Sequence, residues 1–170
     1  LAKEYGTPLY VMDEQVVRKN LRRFHESMQQ YYGGRGEVHY ASKAFSCLEM
    51  CRIVASEGDG LDAVSIGELY TAVKAGFPMD KVGFHGNNKT NEELEYALDC
   101  GIGHIIVDNI SELHRLEKIA AEKGVKANIM FRIKPGIDAH THDFVKTGQI
   151  DSKFGFALET GEAFEAVKEA

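Results

Sequence analysis

Gly60-Leu61-Asp62-Ala63-Val64-Ser65-Ile66-Gly67-Glu68-Leu69 decides how this chain folds. Leu61 to Val64 is a short apolar run with one acid in it, and it reads as a strand. Ser65 follows at once, and Glu68 stands three residues later. That spacing is a capping box, in which the serine oxygen accepts from the third helical N–H and the acid reaches back toward the cap. A strand therefore runs almost directly into a helix, which is half of a βα unit.

The unit recurs on both sides. Upstream, Glu37 to Ala41 is β-like, and Ser46 with Glu49 predicts a helix through about Ser56. Downstream, Lys81 to His85 predicts a strand, and Thr90 with Glu93 caps the next helix. His104 to Val107 is another strand. Asn109 and Glu112 repeat the cap-and-acid offset and open a helix through about Lys123. Val125 to Ile133 predicts a fifth strand; a long loop, a strand start near Phe154 and a helix start near Gly161 follow. At the front, Pro8 to Met12 reads as a short strand. Asp13 reads as an N-cap, and Val17, Leu21, Phe24 and Met28 follow at helical spacing until Gly33, Gly34 and Gly36.

Alternation of strands and helices with short connections predicts a parallel sheet. Two architectures satisfy it, an open doubly wound sheet and a closed (β/α)8 barrel. No glycine-rich dinucleotide fingerprint follows any strand. Residues with chemical potential fall at the ends of several successive strands (Lys43, Asp62, His85 and Arg132), which favours the TIM-type barrel. Only about five to six βα units are present, whereas a closed barrel needs eight and usually about 250 residues. The chain thus reads as the first part of such a barrel, one domain over residues 1–170, and as apparently truncated.

The bulk numbers narrow the function. Of the 170 residues, 44% are hydrophobic and 27% charged, a folding composition with no sign of disorder. The net charge of -6 and the lack of a basic stripe argue against nucleic acid. The densest basic stretch, Arg18, Lys19, Arg22 and Arg23, lies on one helix and reads as a solvated face. No apolar run is long enough to span a bilayer. Cys47, Cys51 and Cys100 lack metal-ligand spacing, and the odd count without a secretory signal points to a reducing, cytoplasmic protein. His140 and His142 lie near Asp138 and Asp143, but no third and fourth ligand is suitably spaced, so no metal is expected.

Lys43 ends an apolar strand in His39-Tyr40-Ala41-Ser42-Lys43-Ala44-Phe45. A lysine desolvated at such a strand end loses part of its affinity for a proton, and its free amine can bind a carbonyl carbon. The plain alternative is a solvated surface lysine. The other candidates carry plain alternatives too. Glu68 is the acid of the capping box, Asp62 can tie down a loop, His85 can be a satisfied strand-end histidine, and Arg132 can pair with a carboxylate between barrel layers.

Five ordered motifs add to this reading. Tyr40-Ala41-Ser42-Lys43-Ala44 resembles the cofactor-lysine motif of the fold-type III pyridoxal-phosphate-dependent decarboxylases, a family that acts on diaminopimelate, ornithine and arginine. Gly60 to Leu69 resembles the second-strand motif of that family. Phe84-His85-Gly86-Asn87-Asn88-Lys89-Thr90 resembles the third. Arg132-Ile133-Lys134-Pro135-Gly136-Ile137-Asp138-Ala139-His140-Thr141-His142, with Thr147-Gly148 and Ser152-Lys153-Phe154-Gly155, resembles the fifth-strand region, most closely in the diaminopimelate branch. Together they cover essentially the whole chain.

The resemblance implies an enzyme of the lyase class with pyridoxal 5'-phosphate as cofactor and Lys43 as its catalytic, cofactor-bearing lysine. It implies that Asp62, Glu68, His85, Asn87 and Arg132 bind or surround the cofactor, and that Lys153 lies toward the interface of a homodimer. The implied reaction is decarboxylation of meso-diaminopimelate to L-lysine and CO2, with an ornithine, arginine or carboxynorspermidine decarboxylase, or a non-catalytic cofactor-binding barrel, as alternatives. The family's later motifs and its C-terminal β domain have no counterpart in the 170 residues, so the chain by itself is expected to be inactive.

Overall fold

A computed structural model of the chain describes residues 1–137 and 152–170. Its elements are, in order, α1 Ala2–Tyr5, α2 Glu14–Tyr32, β1 His39–Ala41, α3 Leu48–Glu57, β2 Gly60–Ala63, α4 Ile66–Ala75, β3 Val82–Phe84, α5 Asn91–Asp99, β4 His104–Val107, α6 Ile110–Lys123, β5 Ile129–Phe131, β6 Ile133–Lys134, β7 Phe156–Ala157 and α7 Glu162–Glu169. Strands β1 to β5 form one parallel sheet in sequential order, and β6 pairs in parallel with β7.

The sequential order decides between the two architectures. A doubly wound sheet reverses its strand order at a switch point, and here each strand simply adds beside the last. Helices α2 to α6 pack each on the next, forming one layer against one face of the sheet. Leu61, Ala63, Val82, Phe84, Ile105 and Val107 point into that layer and are buried against Leu69, Leu94, Leu113 and Leu116. The alternate residues point the other way. Asp62, His104 and Ile106 line the opposite face, where Met130 is half exposed. One apolar face under helices and one mixed face toward a shared interior is the layering of a (β/α) barrel.

The local signals act as read at most helix starts. Asp13 accepts from the N–H groups of Gln15 and Val16. Thr90 and Glu93 make a complete reciprocal box, at 3.2 and 2.9 Å. Asn109 accepts from Glu112 at 2.9 Å. Each such cap satisfies a helix N–H that would otherwise lack a partner, a contribution of about 1 kcal/mol.

Four expectations need correction. Cys47, not Ser46, caps α3, its sulfur accepting from Met50 N–H at 3.5 Å. The 310 turn that carries Lys43 extends through Ala44 and shifts the helix start by one residue. Pro8 to Met12 is not a strand; Tyr10, Val11 and Met12 are exposed, and among the described residues no strand pairs with them. An apolar run becomes a strand only where a ladder partner takes up its backbone groups. The fifth strand is shorter than Val125 to Ile133, because the chain changes partners at Arg132. Arg132 N–H donates to Val107 of β4 at 2.9 Å, while its carbonyl accepts from Phe156 of β7 at 2.8 Å. The strand start expected near Phe154 falls at Phe156.

Candidate functional site

At the C-terminal ends of the strands lies a cavity of about 430 Å³ lined by Ala41, Lys43, Asp62, Val64, His85, Gly86, Arg132 and Phe154. The alternation along the strands builds it. Ala41 pairs with Asp62, and Asp62 with Gly83, so interior-facing residues of neighbouring strands line up in one row. Gly83 keeps that row open. A side chain there would stand 3.1 Å from Asp62 Oδ1 and 3.3 Å from Ile106 Cδ1.

Lys43 sits in the turn after β1, and that turn is pinned from beneath. The hydroxyl of Ser42, 1% exposed, lies 2.7 Å from the Asp62 carbonyl and 2.9 Å from Glu68 Oε2, two acceptors that share its one proton. The same carboxylate oxygen accepts from Val64 N–H at 2.6 Å. Lys43 itself is exposed and has no hydrogen-bond or ion-pair partner among the described residues. The expectation of a desolvated lysine is therefore corrected. Among the described residues β1 and β5 are the outer strands of the sheet, and Lys43 stands on the β1 side.

Asp62 is the electrostatic centre. Its Oδ1 lies 2.9 Å from His39 Nδ1, and its Oδ2 lies 3.5 Å from His85 Nε2. Burial alone would raise its carboxyl; the contacts with His39 and His85 outweigh that and hold it well below the usual carboxylate range. The bond to Asp62 in turn raises His39, against the effect of its partial burial. Arg132 stacks on Phe154, 4.1 Å from the ring centroid, and pairs with Asp108 at 3.4 Å. Asp108 is 2% exposed and also accepts from Gly155 N–H at 3.1 Å.

Of the residues singled out from sequence, Lys43, Asp62, His85 and Arg132 meet at this cavity. Two do not line it. The Glu68 carboxylate is spent on Ser42 and Val64, so it supports the lysine turn from behind. The capping box is only half formed, because Glu68 returns to Val64 and not to Ser65. Asn87 lies in the following loop, its carbonyl held by Asn109. Lys153 is exposed, its ammonium 5.1 Å from the Phe154 ring. Asp138, His140, His142, Asp143, Thr147 and Gly148 lie outside the described residues. Among the described residues no group of three or more His, Cys, Asp and Glu side chains is arranged to hold a metal.

Sequence reading missed His39, Ser42, Lys89, Asp108, Glu112 and Phe154. His39, Ser42 and Lys89 stood inside quoted motifs, yet their partners lie 17 to 26 residues away. Lys89 donates to the carbonyls of Gly86 and Ile106 and to Glu112, at 2.8, 2.7 and 2.7 Å, with both charged side chains almost fully buried.

The cavity suits an anionic, carbonyl-bearing cofactor. A primary amine with no partner among the described residues stands at its mouth, a guanidinium lies on its wall, and Gly86 lends its lining backbone rather than a side chain. Comparison with known proteins gives the same direction. Residues 15–170 match the family model described as the pyridoxal-binding domain of pyridoxal-dependent decarboxylases. The chain is 52% identical over 168 residues to a diaminopimelate decarboxylase of Bacillus methanolicus, covering 99% of this chain and 39% of that protein. It is 48% identical to the diaminopimelate decarboxylase of Bacillus subtilis, over 99% of this chain and 38% of that protein. The crystal structure of the M. jannaschii diaminopimelate decarboxylase with L-lysine superposes with a TM-score of 0.89 at 40% identity, over 99% of this chain and 40% of that one. The chain thus spans about two fifths of the length of the relatives it matches. A match of this extent, on a fold that gathers the motif residues into one cavity, means that the chain belongs to the pyridoxal-dependent decarboxylase family, through its pyridoxal-binding domain.

Proposed function

We propose that this chain is the N-terminal, cofactor-holding barrel portion of a cytoplasmic, homodimeric enzyme that decarboxylates meso-diaminopimelate to L-lysine and CO2, with pyridoxal 5'-phosphate as cofactor. The observation that carries this reading is the convergence of Lys43, Asp62, His85 and Arg132 on one cavity in a chain half identical to diaminopimelate decarboxylases. The chain spans about two fifths of the relatives' length, and on this reading the remaining machinery would belong to the rest of a protein of that length. The three free thiols suit a reducing compartment.

Lys43 would hold the cofactor covalently through its amine. When bound, pyridoxal phosphate supplies the conjugated ring that takes up the electron pair left when an amino acid loses CO2. The chain's own residues orient and bias the site. Ser42 and Glu68 fix the turn from which Lys43 projects. Asp62 stays ionised between two histidines and keeps the Nε2 side of His85 directed at itself. Arg132, held flat against Phe154 and tethered by Asp108, keeps a positive charge on the cavity wall. Lys153, exposed beside this wall, would meet a second subunit in the homodimer.

The test is CO2 release from meso-diaminopimelate, ornithine and arginine, with L-lysine formation from the first, by a protein of the relatives' length that contains this chain, with and without Lys43→Ala. Turnover of diaminopimelate that vanishes in the variant supports the proposal. Preference for ornithine or arginine assigns another branch, and cofactor binding without turnover assigns a non-catalytic carrier. The 170 residues alone are expected to release little or no CO2.

A further inference from the structure

We infer that Lys89 is a positioning residue for the cofactor cavity: it fixes the Gly86 carbonyl, and with it the wall that His85 and Gly86 present to the ligand. The inference rests on the cofactor reading of the cavity. Lys89 is 3% exposed and never reaches the cavity itself. Its ammonium has three N–H groups, and each has an acceptor: Gly86 O in the loop after β3, Ile106 O in β4, and Glu112 Oε1 on α6. The Phe84 ring lies against it, 5.6 Å away at the centroid. One side chain thus ties the loop to the next strand and the next helix.

The rest of the loop is held from the same side. Asn109 donates to the Asn87 carbonyl at 3.3 Å, and Arg115 to the Lys89 carbonyl at 2.8 Å. Gly86 has φ +126°, a region that favours glycine, so its carbonyl direction does not follow from ordinary backbone preference. A solvated loop of this kind would sample several carbonyl directions. A buried ammonium with a fixed counter-ion selects one, because leaving that charge without its acceptors is costly. A helix-surface lysine would need none of this; a cavity wall that must hold a ligand in one orientation does.

The test compares this chain with three variants. Lys89→Met with Glu112→Leu removes both buried charges together, so no orphan charge unfolds the protein. Lys89→Arg keeps the charge. Val54→Ala removes packing in α3, outside the loop and the cavity lining, and serves as a destabilised control. Two quantities are read: hydrogen exchange of amides 86–90 relative to those of α3, and the dissociation constant for pyridoxal phosphate from its absorbance titration. In the double variant, exchange in the loop and the dissociation constant should each rise about tenfold or more. Lys89→Arg should recover part of the loss, and Val54→Ala should bind as the unaltered chain does. A double variant that folds and binds normally overturns the inference. So does a Val54→Ala chain that loses binding equally, since that is what a merely structural role predicts. If a protein of the relatives' length that contains the unaltered chain forms no adduct at all, the cofactor reading itself fails, an outcome distinct from a defect confined to the Lys89 variants.

Discussion

His39 Nδ1 lies 2.9 Å from Asp62 Oδ1, across the boundary between β1 and β2. The contact is possible because Gly60, the register partner of His39, has no side chain; a Cβ there would collide with the imidazole. The pair has a defined pH signature. His39 is raised above its ordinary 6.5, so its contribution is full below that value and is lost as pH rises through the folded-state value. Asp62 is lowered from 3.8, so its contribution is present above that value and is lost as pH falls further. The two windows overlap between about pH 4 and 6.5. His39→Gln should therefore cost most stability near pH 5, on the order of 1–2 kcal/mol for a charge-assisted bond. The cost should shrink by pH 9. Urea unfolding of both proteins at pH 5, 7 and 9 checks this, and a pH-independent difference would contradict it.

Gly155 has φ +69°, and a Cβ on it would press on the Arg132 carbonyl, which is backbone and cannot move aside. Its N–H also anchors Asp108, the tether of Arg132. Gly155→Ala should lower stability by about 1–3 kcal/mol and shift the guanidinium off Phe154. The urea midpoint reads the first effect. The second should appear as weaker pyridoxal phosphate binding, beyond that of an equally destabilised core variant.

How much of this was legible in the sequence depends on the range of the interaction. Asp13, Ser65, Thr90 and Asn109 all cap helices, because a cap is completed within three residues. Ser46 failed by one position, since the 310 turn at Lys43 takes residues that a pattern cannot assign. Pro8 to Met12 had the composition of a strand, but a ladder is a property of two segments. Lys43, Asp62, His85 and Arg132 were visible because each ends a strand, and strand ends converge in this fold. Lys89 stood only inside a quoted motif, and Glu112 read as the acid that follows a helix cap. Their pairing joins the loop after β3 to α6 across 23 positions, and nothing local announces it.

Glu68 was expected beside the cofactor and instead supports the turn that carries Lys43. Glu68→Gln keeps a carbonyl acceptor for Ser42 and Val64 but loses the charge. It should cost about 1–2 kcal/mol. Borohydride labelling of Lys43 with pyridoxal phosphate should slow but survive. Complete loss of labelling in a folded Glu68→Gln chain would mean that the carboxylate itself contacts the cofactor.

Lys43 is exposed and has no partner among the described residues. Removing it should change stability by no more than about 0.5 kcal/mol, which makes it the cleanest probe of the account. The measurement is the absorbance of the pyridoxal phosphate adduct on the chain and on Lys43→Ala, followed by borohydride reduction and peptide mapping. The account predicts a band and a single label on the peptide containing Lys43, both absent from an equally stable Lys43→Ala. A label on another lysine, or a band of the same strength in the variant, would contradict it.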